Sequence, residues 1–318
     1  MLNRRQVLKG MGAAASLLSM PSWALEVGGV QLGLQTYTFH NVRQGGLQAI
    51  DTILDGTLQL KVNLLELWAP QAEPFALPVR YWSPWSGAAT QPAEQLSAAE
   101  RESRRSALRA WRTNTPPNHF TEIRRRFDFA RIGLFSYNYS FEPSMTDAEI
   151  DHGFMAAKAL RLKLITASSK VSVAKRVAPF AEKHGVMVAF HNHAVTKDPD
   201  DLATMDHFRQ VLAMSSMYRI NLDVAHYSAS GLDAVAALET LHDKITNMHV
   251  HDRKANDGAS VPFGDGVTPA AQILKMNRDR GWKIPCFYEL EYVGADGRDV
   301  IAETRRELEY EIRVLQQK

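Results

Sequence analysis

The sequence predicts a single-domain (β/α)8 TIM barrel on three observations: eight short β-rich runs, amphipathic helical stretches between them, and a length suited to one closed barrel. The runs are VQLGLQTY (30–37), VNLLELW (62–68), IGLFSYN (132–138), LKLITAS (162–168), VMVAFH (186–191), YRINLDV (218–224), KITNMHV (244–250) and IPCFYELE (284–291). Each has the length and β-branched or aromatic content of a buried strand. Helical periodicity fills the gaps, as in DAEIDHGFMAAKAL (147–160), KVSVAKRVAPFAEKHG (170–185), GLDAVAALETLHDK (231–244) and TPAAQILKMNRDRG (268–281). Thr146 is placed to cap the first of these, Pro269 suits a first turn, and Gly185 and Gly281 stand just past helix ends. A doubly wound open sheet is the competing architecture.

Residues 69–118 interrupt the alternation. They are too long for a βα connection and rich in Pro, Trp and charge, the profile of a functional or disordered insertion. AAERESRRSALRAWR (98–112) reads as a helix with a solvated charged face, whereas Trp82, Trp85 and Trp111 need cover. Following the second strand, this insertion belongs at the active-site end of a barrel, where it is placed to wall a pocket.

Composition bounds the rest. The chain has 318 residues, 45% hydrophobic, with one cysteine, Cys286, which excludes an intrachain disulfide and a cysteine-cluster metal site. Residues 1–24 read as a separate signal peptide: a basic, acid-free start, a short apolar stretch and small residues at its end. Arg4-Arg5 with Leu8-Lys9 resembles the twin-arginine export motif, so the mature protein, 25–318, is expected in the periplasm or otherwise exported. Loss of Arg4, Arg5 and Lys9 turns the formal charge from +2 to −1. A near-neutral protein has no electrostatic reason to bind nucleic acid or to stay on an anionic membrane. Homo-oligomers are common among symmetric soluble assemblies, and one is expected here.

Strand parity then selects the candidate site. Alternate side chains face opposite sides of a strand, so His191 shares a face with Met187 and Ala189. Arg219, Asn221 and Asp223 share a face in the sixth run, Asn247, His249 and His251 in the seventh, and Glu289 and Glu291 in the eighth. Four successive strands thus place His191, Asp223, His249 and Glu289 inward near their C-terminal ends, where catalytic groups of this fold gather. Nitrogen and oxygen donors of this kind hold a divalent cation, which also relieves the cost of burying two carboxylates together. Mn²⁺ suits such mixed ligation, with Zn²⁺, Fe²⁺, Co²⁺ and Mg²⁺ as alternatives, and Glu291 competes with Glu289 at the last strand. His193, His226, His251, Arg253 and Lys254 surround the set, and Glu66 ends the second run. Lys254 or Arg253 is placed to stabilise an oxyanion and His226 to bind a sugar hydroxyl.

AFHNHAV, NLDVAHYSASG, MHVHDRK followed by FGDGV (263–267), and YELEY resemble the xylose isomerase-like TIM-barrel superfamily, specifically its sugar phosphate isomerase/epimerase group, which is AP endonuclease family 2-like. The resemblance spans about residues 30–315. It implies a single divalent metal held by Glu, Asp, His and Glu at the strand ends. Asp223, His249 and Glu289 match these positions, and His191 stands where the first Glu is expected. In ketose epimerases of the group both glutamates exchange protons with the substrate, so His191 departs from the symmetric two-base pattern.

The function expected from the residues and the resemblance together is metal-dependent isomerisation or epimerisation of an unphosphorylated sugar or keto-sugar through an enediolate. Glu289 is the expected base, with His193 or His251 as acid and Lys254 among the catalytic groups; Glu66, His226 and Arg253 are expected to bind substrate. A lyase or hydratase of 3-keto-sugars is the second expectation, and a non-catalytic sugar-binding barrel the third.

Overall fold

A computed structural model describes residues 25–42, 45–74, 97–292 and 299–317. The expected signal segment 1–24, with Trp82 and Trp85 of the insertion, lies outside these residues. Eight parallel strands form a closed sheet: β1 (Val30–Gln35), β2 (Leu64–Trp68), β3 (Gly133–Asn138), β4 (Leu164–Ser168), β5 (Met187–His191), β6 (Tyr218–Asp223), β7 (Ile245–Val250) and β8 (Cys286–Tyr288). They pair in chain order, and β1 closes the ring by pairing with both β2 and β8. All eight expected runs are strands of the barrel.

The flanking helices are α1 (Leu47–Leu60), α2 (Ala98–Asn114), α3 (Asn118–Ala130), α4 (Asp147–Ala159), α5 (Val171–His184), α6 (Met205–Leu212), α7 (Ala234–Leu241), α8 (Ala270–Asp279) and α9 (Val300–Gln316). Thr146 caps α4 reciprocally with Glu149, and Gly185 ends α5 in the left-handed conformation, both as their sequence positions require. Outward strand residues such as Leu32, Leu34, Val188, Phe190, Ile220 and Leu222 join the helices in one core. Leu64, Phe135, Leu164, Met187, Ala189 and Phe287 form a separate plug inside the barrel. Gly33 faces that plug, where a Cβ would lie 2.6 Å from the Phe287 ring and 2.8 Å from the Leu64 carbonyl oxygen.

Two expectations are corrected here. The last strand is shorter than 284–291, because beyond Tyr288 the Leu290 N–H bonds to the Thr38 hydroxyl instead of a neighbouring strand. Helix α2 is not merely solvated: Leu108 is buried, and Arg112 reaches inward to Glu73, just past β2, at 2.7 Å. Arg109 bonds Glu149 in the first turn of α4 and the Ser144 carbonyl, so this helix is anchored beside the C-terminal ends of the strands. Trp111 finds its cover against the edges of His119, Phe120 and His152.

Candidate metal centre

The interior is layered. Above the apolar plug lies a polar layer: the Glu66 carboxylate accepts from Ser136, Asn138 and Asn247, and the Asn247 amide also donates to Asn221 Oδ1. Above it stand His191, Asp223, His249 and Glu289, all buried. Register sets this level, since Asp223 pairs with His249 across β6 and β7, and Phe287 pairs with His249 across β7 and β8. One donor atom from each of the four lies within 4.8 Å of the others.

The closest approaches are His249 Nδ1 to Glu289 Oε2 at 2.9 Å and His191 Nε2 to Asp223 Oδ2 at 3.3 Å, with His249 Nδ1 4.0 Å from the same aspartate oxygen. Three of the four are held from behind. The Ser168 hydroxyl lies 3.3 Å from His191 Nδ1, and His249 Nε2 lies 3.0 Å from Glu66 Oε1. Asp223 ends β6 and caps the short helix Val224–Ala229, its Oδ1 accepting from the His226 N–H at 2.7 Å. That cap turns the chain so that His226 returns over Asp223, which explains the D-x-x-H spacing.

Asn192 was not singled out by sequence reasoning, yet its amide clamps Asp223 from both sides. Its Nδ2 donates to the Asp223 carbonyl and its Oδ1 accepts from the Asp223 N–H, at 3.0 and 2.9 Å. The signal was its place between two site histidines in a run that closes a strand. Asn138, Thr166, Ser168 and Ser136 were missed as well, because small polar residues at strand ends look alike whether they face solvent or a cluster.

Burial opposes charge at Asp223, His249 and His251, and there the neighbours outweigh it. Burial raises the Asp223 carboxyl, but His251, His226 and His191 outweigh it and hold it well below the usual carboxylate range. Burial lowers the His249 ring, but Glu66 and Glu289 carry it well above the ordinary imidazole value. His251 is raised by Asp223 and Glu291 against the same penalty. His193 is pushed well below its ordinary value by burial and by its neighbours His191 and His226.

The donor set fits a divalent cation. Two imidazoles and two carboxylates converge, and His249 Nδ1 faces the Glu289 and Asp223 oxygens at 2.9 and 4.0 Å, a buried donor set whose negative charge a cation offsets. His191, Asp223, His249 and Glu289 would hold that ion. A second group, Asp223, His226 and His251, overlaps the first at Asp223.

The remaining expected residues separate into those near the cluster and those away from it. His193 is half-buried with its ring 5.1 Å from that of His191 and 5.2 Å from that of His226. His251 Nε2 lies 3.0 Å from Asp223 Oδ2, and His226 Nε2 lies 3.7 Å from Glu291 Oε1. Glu291 accepts from Arg253 and Ser260, both at 2.7 Å, so Glu289 and not Glu291 belongs to the four. Arg253 is thereby already paired, with Asp257 as a further partner.

Lys254 does not reach the cluster; it is exposed and donates to the Asp265 carbonyl. Glu66 is fully buried beneath His249 with its oxygens engaged, which closes it to direct substrate contact. FGDGV also finds a reason: the backbone N–H groups of Gly264, Gly266 and Thr268 converge on the buried Asp252 carboxylate. At Gly266 a Cβ would lie 2.2 Å from that carboxylate.

A family model for the xylose isomerase-like TIM barrel matches residues 171–317. No curated protein matches the chain. Solved structures of the same shape include D-psicose 3-epimerase with D-tagatose from Clostridium cellulolyticum, at 14% identity and a TM-score of 0.58, covering 90% of this chain and 99% of that one. A sugar phosphate isomerase/epimerase from Parabacteroides distasonis aligns at 14% identity and 0.57, covering 95% and 99%. The probable 3-DHS dehydratase AsbF of Bacillus anthracis aligns at 14% identity and 0.56, covering 90% and 99%. At such identities the likeness establishes the barrel fold.

Proposed function

We propose that this chain is a divalent-metal-dependent isomerase or epimerase acting on an unphosphorylated sugar or keto-sugar through an enediolate. The observation that carries this reading is the convergence of His191, Asp223, His249 and Glu289, all buried, with one donor atom from each within 4.8 Å of the others. The sugar epimerase and the isomerase/epimerase among barrels of the same shape support the substrate class. Mn²⁺ is the proposed ion, since it accepts both imidazole and carboxylate donors.

When bound, the ion supplies Lewis acidity toward a ketone and its adjacent hydroxyl. The chain's own residues do the rest. Glu289, at 7% the most exposed of the four, is the base that takes the neighbouring C–H proton. His251, its ring beside Asp223 and Glu291, returns a proton. His193 and His226 offer ring nitrogens to sugar hydroxyls. Arg253 is already paired with Glu291, which leaves little to attract a phosphate and favours an unphosphorylated substrate.

A second reading, a lyase or hydratase of 3-keto-sugars, is favoured by His191: an imidazole in place of a second carboxylate leaves one strong base, which suits elimination. Incubation with free ketoses and with 3-keto-glucosides in D₂O, followed by NMR, separates the two. Deuterium at a carbinol carbon without loss of a group supports isomerisation or epimerisation; an enone or its hydrate supports the lyase. Ligand-induced thermal stabilisation without any C–H exchange supports a sugar-binding barrel instead.

Export belongs to the same proposal, on the Arg4-Arg5 and Leu8-Lys9 pattern. Residues 1–24 fused to a reporter that matures only outside the cytoplasm should export it, and an Arg4→Lys, Arg5→Lys pair should abolish export.

A further inference from the structure

The middle layer of this barrel holds a carboxylate where the fold ordinarily stacks branched apolar side chains. Glu66 is fully buried, and a carboxylate taken out of water must be compensated. Ser136 and Asn247 donate to its Oε2 at 3.1 and 3.0 Å, and Asn138 donates to its Oε1 at 3.0 Å. These neutral donors fix the carboxylate's rotamer but leave its charge. The fourth partner differs in kind: His249 Nε2, 3.0 Å from Oε1, belongs to a ring whose other nitrogen faces Asp223 and Glu289.

An imidazole offers a lone pair from one nitrogen only when the other carries the proton. Two groups compete for Nε2. Asn221 Nδ2, 3.1 Å away with its Oδ1 held by Asn247, favours a lone pair there, and the Glu66 carboxylate favours a proton. The Glu66 charge is therefore what tips Nε2 toward donating and Nδ1 toward the cluster. We propose that Glu66 is a positioning residue of the metal centre: it keeps His249 Nε2 as hydrogen-bond donor, presents Nδ1 to the cation, and makes that ring a stronger ligand through its negative charge. The inference rests on the reading of the four residues as a metal centre. It also gives the buried acid a reason to be there, since replacing it by an apolar residue would take the acceptor from Ser136, Asn138 and Asn247 and leave His249 Nε2 facing the Asn221 amide, which favours the tautomer with its proton on Nδ1.

The test is Mn²⁺ titrated calorimetrically into metal-stripped wild type, Glu66→Gln, Glu66→Ala and Ser136→Ala, with the thermal midpoint of each stripped protein measured in parallel. Glu66→Ala should weaken Mn²⁺ binding by about 10- to 100-fold. Glu66→Gln, which keeps an acceptor oxygen but not the charge, should fall between, and it decides the matter if Glu66→Ala does not fold. Ser136→Ala removes a donor from the same carboxylate without touching His249 and should stay near wild type. Lowered thermal midpoints with unchanged Mn²⁺ affinity in both Glu66 variants would show a purely structural role and overturn the proposal. Failure of wild type to take up Mn²⁺ would overturn the metal-centre reading and this role with it, so the two failures are distinct.

Discussion

His249 Nδ1 and Glu289 Oε2 stand 2.9 Å apart in the buried mouth of the barrel, one supplied by β7 and the other by the residue just past the end of β8. Neither is placed by local structure alone. Their meeting depends on the register between β7 and β8, so the candidate centre is a property of the closed sheet.

Removing ligands should remove the ion. Wild type purified with added Mn²⁺ is expected to carry about one equivalent of divalent metal, and Asp223→Ala, His249→Ala to carry almost none, by elemental analysis. Full retention in the double variant would place the metal elsewhere.

Glu289→Gln keeps an oxygen donor and removes the base. Turnover should fall by about 10²- to 10⁴-fold, while bound metal changes much less. Solvent deuterium exchange into substrate reads the first effect and elemental analysis the second; equal loss of both would reduce Glu289 to a ligand.

Arg112 and Glu73 form a buried ion pair that ties α2 to the end of β2. Arg112→Met leaves Glu73 buried without its partner and should cost about 3–5 kcal/mol in urea unfolding. Lys254→Ala, by contrast, should leave stability within about 0.5 kcal/mol and activity unchanged, because Lys254 is exposed and outside the cluster.

Glu311 on α9 is fully buried, and neither carboxyl oxygen has a hydrogen-bond partner. Burial, with Glu307 nearby, lifts its pKa well above the carboxylate range. The folded state therefore holds this proton more tightly than the unfolded chain. The stabilisation it gives is fully present below the unfolded value, about 4.3, and is lost as pH rises through the folded value. Glu311→Gln should abolish that component, so its melting temperature should fall less than that of wild type between pH 5 and 8. Parallel curves would show that Glu311 stays charged in the folded state.

Much of the fold was legible because strand and helix periodicities are local. Eight β-rich runs became eight strands, and parity placed His191, Asp223, His249 and Glu289 on one face without knowledge of their neighbours. The helix at 98–114 was misread because its many charges describe most of its surface correctly, while Leu108 and Arg112 are buried by contacts with segments distant in sequence. Lys254 follows His249 by five residues, and at the end of the short antiparallel ladder pairing Asp252–Arg253 with Ser260–Val261 its ammonium bonds the Asp265 carbonyl, a contact no local pattern announces.

The sequence by itself determined the barrel, the inward face of each strand and the donor types at its mouth, since these follow from side-chain alternation and chemistry along one segment. Only the tertiary structure decided that Glu289 and not Glu291 joins the four, that Asn192 clamps Asp223, and that Glu66 lies beneath His249. Those depend on inter-strand register and on contacts spanning up to 183 residues, which no local pattern encodes.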